Sequence, residues 1–254
     1  MTSFNNNFAD SMLRRIRSLS PGTEFTLVVL GAFGWLFVRN VLYVFHFAQP
    51  QLTEERLRFL LIYEAIALAC LFLFLRIRGW TMDRLGLRPG IKDAGIGLLL
   101  AVASYGAWLM ALTLFGSFSQ TVVQSIKETD SLFAVRIDVA MIAVLAVVNP
   151  IFEETFVTGY VISALKDRAP FWLAVTASVV IRLSYHLYQG TSGLIGIGPL
   201  GLIFAAYYYR DGRLWPLIVA HASSTLSGCW RRVIDDQDAS DKANDALPNA
   251  AGAG

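Results

Sequence analysis

Four ionisable side chains lie in apolar surroundings at positions where they could act together. Glu153 and Glu154 are adjacent in NPIFEETFVTGYV, His186 opens HLYQG, and His221 closes LWPLIVAH. A carboxylate withdrawn from water beside a second one is a base suited to neutral pH. With two imidazoles it can polarise a water for attack on a peptide carbonyl, the histidines holding the water, stabilising the oxyanion or ligating a metal. Residue types alone leave two schemes open: a divalent metal such as zinc on His186, His221 and Glu153, or no metal. No HExxH helix and no GxSxG elbow is present, and Cys70 and Cys229 form no CxxC pair.

Helical spacing assigns neighbours to these residues. Glu153 and Glu154 point about 100° apart, so Glu153 shares a face with Asn149 and Glu154 one with Thr158. Arg182 and His186 stand four apart, as do His221 and Thr225. Pro150 weakens the ladder next to the glutamates and lets that helix bend. The plainer reading is that these groups satisfy one another as interhelical glue.

The elements that must position them are membrane spans. Of 254 residues, 55% are hydrophobic and 16% charged, with mean hydropathy +0.53, the composition of an integral membrane protein. A net charge of +2 without a basic patch interleaved with aromatics argues against a nucleic-acid partner. A spanning helix needs roughly 20 apolar residues to cross about 30 Å of hydrocarbon. By that measure candidates run approximately over 25–45, 59–75, 94–115, 137–165, 171–187, 193–209 and 214–230. The expected fold is an all-α multipass bundle of seven or eight spans, with a cytoplasmic segment 1–24, N-terminal helices 25–136, site-bearing helices 137–230 and a disordered acidic tail 231–254. The NNN stretch near the start also reads as disordered.

Arg14, Arg15 and Arg17, and the loop carrying Arg76, Arg78, Arg84, Arg88 and Lys92, belong in the cytoplasm, as do the KDR turn at 166–168 and the RDGR turn at 210–213. Trp80, Trp172, Trp215 and Trp230 are placed for an interfacial belt, and the two cysteines read as small buried thiols. Glycines in GIGLLL and GLIGIGPLGL suit close helix packing. A charge at the bilayer centre costs roughly 2.5–3.5 kcal/mol on insertion scales, so each needs a partner. Arg39 and Glu64 lie at similar depth on consecutive spans and are expected to pair. Counted from the cytoplasmic ends at 1.5 Å per residue, Glu153 and Glu154 lie about 17 Å deep, His186 about 22 Å and His221 about 10 Å. Bends or tilt must therefore bring them together.

The ordered set EE, then HLYQG, then LWPLIVAH on successive hydrophobic segments, with Asn149-Pro150 before and Gly159 after the glutamates, resembles the CPBP intramembrane proteases. These include the type II CAAX prenyl endopeptidases and the related bacteriocin-processing or immunity proteins of the Abi group. The resemblance covers about residues 140–230. It implies peptide-bond hydrolysis within a cell membrane on a membrane-associated polypeptide, with Glu153 as water-activating base, Glu154 as its partner, and His186 and His221 completing the site. The family's EExxxR has Thr158 at its arginine position, its last motif has Thr225 where Asn or Asp is usual, and its FxxxH has Arg182 at the phenylalanine position. The charge absent at 158 is expected to have moved to Arg182, pairing there with Glu154. Thr158 and Thr225 also fit a degenerate scaffold acting as an immunity or partner-binding protein. A proton-coupled transporter would instead show two similar halves with paired breaks, and the sequence shows none.

Overall fold

A computed structural model describes residues 2–46, 53–116 and 138–228, which are helical apart from the turns that join the helices, with no strand among them. Helix α1 (Thr2–Arg17) precedes a first span made of α2 (Pro21–Val29), a π-helical stretch at Leu30–Gly34 and α3 (Trp35–His46). Then come α4 (Glu54–Ile77), α5 (Asp93–Gly116) and α6 (Val139–Glu153), which runs through a second π-helical stretch, Glu154–Tyr160, into α7 (Val161–Leu165). Helix α8 (Phe171–Tyr185), a 3-10 turn at Leu187–Gln189, α9 (Gly190–Asp211) and a helix over 215–228, α10, complete the bundle. Four helical stretches are long and apolar enough to cross a membrane: Pro21–Tyr43, Glu54–Ile77, Asp93–Phe115 and Val139–Leu165. The protein is a multipass membrane helical bundle. The tail from 229 onward, with Trp230 and Cys229, lies outside the described residues.

Lipid tails are as apolar as leucine, so helices in a bilayer associate through packing and polar contacts rather than through escape from water. The stretch 139–165 is the centre of that packing. On one side Phe152, Phe156 and Tyr160 join Val28, Phe33, Leu75 and Trp80, and on the other Ile162 joins Val175, Phe204, Leu214 and Leu217. Helix α9 packs on α5 and α8, and α4 on α6.

Both π-helical stretches release backbone carbonyls from the ordinary ladder, and in hydrocarbon each needs a donor. Tyr63 supplies one for the first stretch, its hydroxyl lying 3.1 Å from the Gly31 carbonyl and 2.9 Å from that of Ala32. Ser178 supplies the other, donating to the Val157 carbonyl at 2.6 Å.

The basic turns gather at one end of the bundle. There Arg78 pairs with Glu24 and donates to the carbonyls of Ile16 and Leu19 at 3.0 and 2.9 Å. Arg213 pairs with Asp93 at 2.6 Å, Lys166 donates to the Tyr209 carbonyl at 2.8 Å, and Leu214 N–H donates to Gly86 at 2.9 Å.

Several expectations change. The NNN stretch is part of α1. Trp80 is buried rather than interfacial, because its indole N–H donates to Glu24 at 2.9 Å. Trp172 stays exposed, and Cys70 is exposed rather than buried. Arg39 and Glu64 form no ion pair: Glu64 accepts a bond from Asn149 instead, and Arg39 lies 6.0 Å from the Tyr43 ring centroid.

Candidate active site

The helix that carries the glutamates changes its winding between them. Glu153 ends α6, and Glu154 begins the π-helical stretch, four residues after Pro150, which weakens the turn before it. A π turn needs an extra residue, so Glu154 and Thr158 swing toward α8 and α10. Gly159 permits this, since a Cβ there would lie 3.3 Å from both the Glu154 carbonyl and Leu214.

Glu154 is completely buried and fully partnered. Its Oε2 accepts Arg182 Nη2 at 2.7 Å and the Thr158 hydroxyl at 2.8 Å, and its Oε1 accepts His221 Nδ1 at 2.8 Å. Arg182 Nη2 also donates to Thr158 Oγ1 at 3.0 Å. The arginine's charge thus reaches the carboxylate from a neighbouring helix, with threonine completing the bonding at the position where EExxxR has its arginine. Space for the guanidinium stem comes from Gly201 on α9, where a Cβ would stand 3.1 Å from Arg182 Cδ.

Glu153 has separate partners. Asn149 Nδ2 donates to Oε1 at 3.0 Å, the Tyr185 hydroxyl donates to Oε2 at 2.8 Å, and Arg182 Nη1 lies 3.5 Å from Oε2. Tyr185 is held by stacking on Phe33, with ring centroids 4.6 Å apart, and by Asn40, which donates to its carbonyl. That tyrosine was not singled out by the sequence; its one signal is its place next to His186.

Helix α8 stops at Tyr185, and the stop orients His186. With φ −107° and ψ 7° the residue has left the helix, and its Nδ1 lies 2.9 Å from the Arg182 carbonyl, which can only accept. Nδ1 therefore carries the proton, and Nε2 faces Glu153 Oε1 at 3.9 Å. His221 reaches Glu154 despite its shallow position in sequence because α10 starts inside the packed core, where Leu214 and Leu217 are fully buried. Its Nδ1 faces the carboxylate, which leaves Nε2 on the cavity side.

Glu153, Tyr185, His186 and His221 floor a cavity of about 260 Å³, whose lining also includes Asn149 and Thr225, while Glu154 lies behind it. All eight positions expected to form or support the site are at this one locality: the two glutamates and two histidines at its centre, Asn149, Thr158 and Arg182 bonded to the glutamates, and Thr225 on the wall. The structure adds Glu64, linked to Glu153 through Asn149.

Glu153, Glu154 and His221 offer metal-ligand atoms all within 4.8 Å of one another, without His186. Yet every oxygen of the two carboxylates already accepts an N–H or O–H bond, and a guanidinium lies against both. A divalent cation would have to displace those donors and sit beside a fixed positive charge, so the set does not suit one.

Against known families, the model described as type II CAAX prenyl endopeptidase Rce1-like matches residues 135–227, somewhat over a third of the chain. No curated protein and no solved structure matches the chain. The matched stretch begins just before α6 and ends within α10, so it contains both glutamates, both histidines and Arg182. Over residues 135–227 the chain is thus similar to the type II CAAX prenyl endopeptidases of the Rce1-like kind.

Proposed function

We propose that the protein is an intramembrane endopeptidase that hydrolyses a peptide bond of a membrane-associated polypeptide with a glutamate-activated, metal-free water. The observation that carries this reading is the 3.9 Å gap between Glu153 Oε1 and His186 Nε2 on the cavity floor. A water at about 2.8 Å from each atom fits that gap and would be held by two acceptors, as a nucleophile must be. Glu153 takes a proton as the water attacks the carbonyl carbon. The Glu154–His221 pair then supplies charge: an imidazolium braced on Nδ1 by a carboxylate presents Nε2–H to the developing oxyanion. On collapse of the tetrahedral intermediate the proton on Glu153 passes to the leaving amine, so the base returns as general acid.

A second reading is a scaffold that binds a partner without cleaving it. Thr225 favours it, since the family's amide or acid at that place could brace an oxyanion donor and a threonine is a shorter substitute. Cleavage assays on purified wild type, Glu153→Gln and His221→Ala separate the two. The endopeptidase reading expects a loss of about 10²–10⁴-fold for Glu153→Gln, with the fold intact. It expects a chelator to leave the rate unchanged. Equal rates in all three proteins would reject catalysis at this site and leave the scaffold.

A further inference from the structure

The N-terminal hairpin contributes two polar groups to the cavity that the hydrolytic scheme does not use. Glu64 on α4 is 1% exposed. Its Oε1 accepts one N–H of Asn149 at 2.8 Å, while the same amide nitrogen gives its other N–H to Glu153 at 3.0 Å. Asn149 is thereby saturated as a donor and holds the two carboxylates in a fixed relation. Glu64 Oε2 is buried and has no hydrogen-bond partner among the described residues, and the same is true of Arg39 Nε. Both residues line the cavity, and they do not pair with each other. Neither lies in the matched stretch 135–227.

A buried acceptor and a buried donor left open in one wall are costly unless something completes them. An acceptor on α4 and a donor on α3, both on residues that line one cavity, are together the complement of a peptide unit, which offers an N–H and a C=O.

We propose that Glu64 and Arg39 form a main-chain docking subsite for an extended peptide. Oε2 of Glu64 accepts a backbone N–H, and Arg39 Nε–H donates to a backbone carbonyl close to the scissile bond. The subsite rests on the endopeptidase reading and adds to it that the substrate is read through its backbone and enters as an unfolded strand. It also gives the N-terminal spans a role in recognition, apart from the chemistry on α6, α8 and α10.

Glu64→Gln is a selective probe. Asn149 must keep an oxygen to donate to, so the new amide turns its NH2 into the cavity and presents a donor where an acceptor is needed. Peptides from a digested membrane proteome, offered to the wild type and read by mass spectrometry, would supply cleaved sequences. These are resynthesised with single backbone N-methyl groups along their length. For the unmodified peptide, Glu64→Gln is expected to raise KM about 10- to 100-fold with kcat nearly unchanged. One N-methyl position should impose a similar rise on the wild type and almost none on Glu64→Gln. A merely structural role for Glu64 would not couple to one N–H of the substrate. If Glu64→Gln does not fold, Glu64→Asp keeps the carboxyl group, withdraws the oxygen and should show the same loss of coupling. Equal N-methyl penalties in wild type and variant at every position would overturn the subsite while leaving the endopeptidase standing. Cleavage that Glu153→Gln does not reduce, or none by the wild type, would remove both.

Discussion

At the scale of single residues, the arrangement turns on where one positive charge is attached. The sequence carries threonine at 158, and an arginine four residues before His186 was expected to take over the missing charge. In the structure Arg182 bonds both Glu154 and Thr158. Removing one partner of a buried pair strands the other charge, so Arg182→Leu should cost about 3–5 kcal/mol of stability and abolish cleavage. Thermal unfolding in detergent measures the first and a peptide assay the second. Adding Thr158→Arg to that variant is expected to restore part of both, because the position already lies against Glu154. If Arg182→Leu is silent, the pairing has no function. This relation was legible because an intramembrane arginine needs a partner and few were available. Glu64 was misread for the same reason: its nearest charge by depth was Arg39, while its actual partner is the neutral Asn149.

At the scale of elements, apolar runs located the helices, but winding and termination were hidden. Nothing in ETFVTGY distinguishes a π turn from an α turn, since the extra residue is tolerated only because Ser178 satisfies a freed carbonyl and Leu214 packs where Gly159 leaves room. The end of α8 was equally obscure, as RLSYHLYQG continues the apolar pattern past the residue where the backbone departs. Gly201 is a test of such dependence. In α9 a side chain at that position would crowd Arg182 Cδ and push the guanidinium away from Glu154. Gly201→Val should cost about 1–3 kcal/mol through overpacking and lower cleavage disproportionately. Gly198, which has open space around it, serves as control, with Gly198→Val expected to leave both near wild type.

At the scale of the whole molecule, the basic end and the cavity mouth are opposite. Leu57 and Leu60 near the start of α4, Gln189 after α8 and Gly228 at the end of α10 line the cavity, whereas Arg78, Lys166 and Arg213 hold the other end. If lysine and arginine set orientation in the usual way, the mouth faces away from the cytoplasm. In a protein with Cys70→Ala and Cys229→Ala, a membrane-impermeant maleimide added to intact cells should label Gly228→Cys and spare Ile91→Cys. In inverted vesicles the pattern should reverse. Labelling of Gly228→Cys only in inverted vesicles would place the mouth on the cytoplasmic side.

Moving the arginine off the glutamates' own helix also has a mechanical consequence. An EExxxR pair closes within one helix and leaves its neighbours free to shift. Here Glu154 ties α8 through Arg182 and α10 through His221, so one carboxylate rivets three helices. The wall formed by α6, α8 and α10 is therefore the rigid side of the cavity. Any widening that admits a chain has to come from the opposite wall, the hairpin of α3 and α4, which is held to the other side by amide hydrogen bonds, Asn40 to the Tyr185 carbonyl and Asn149 to Glu64, rather than by ion pairs.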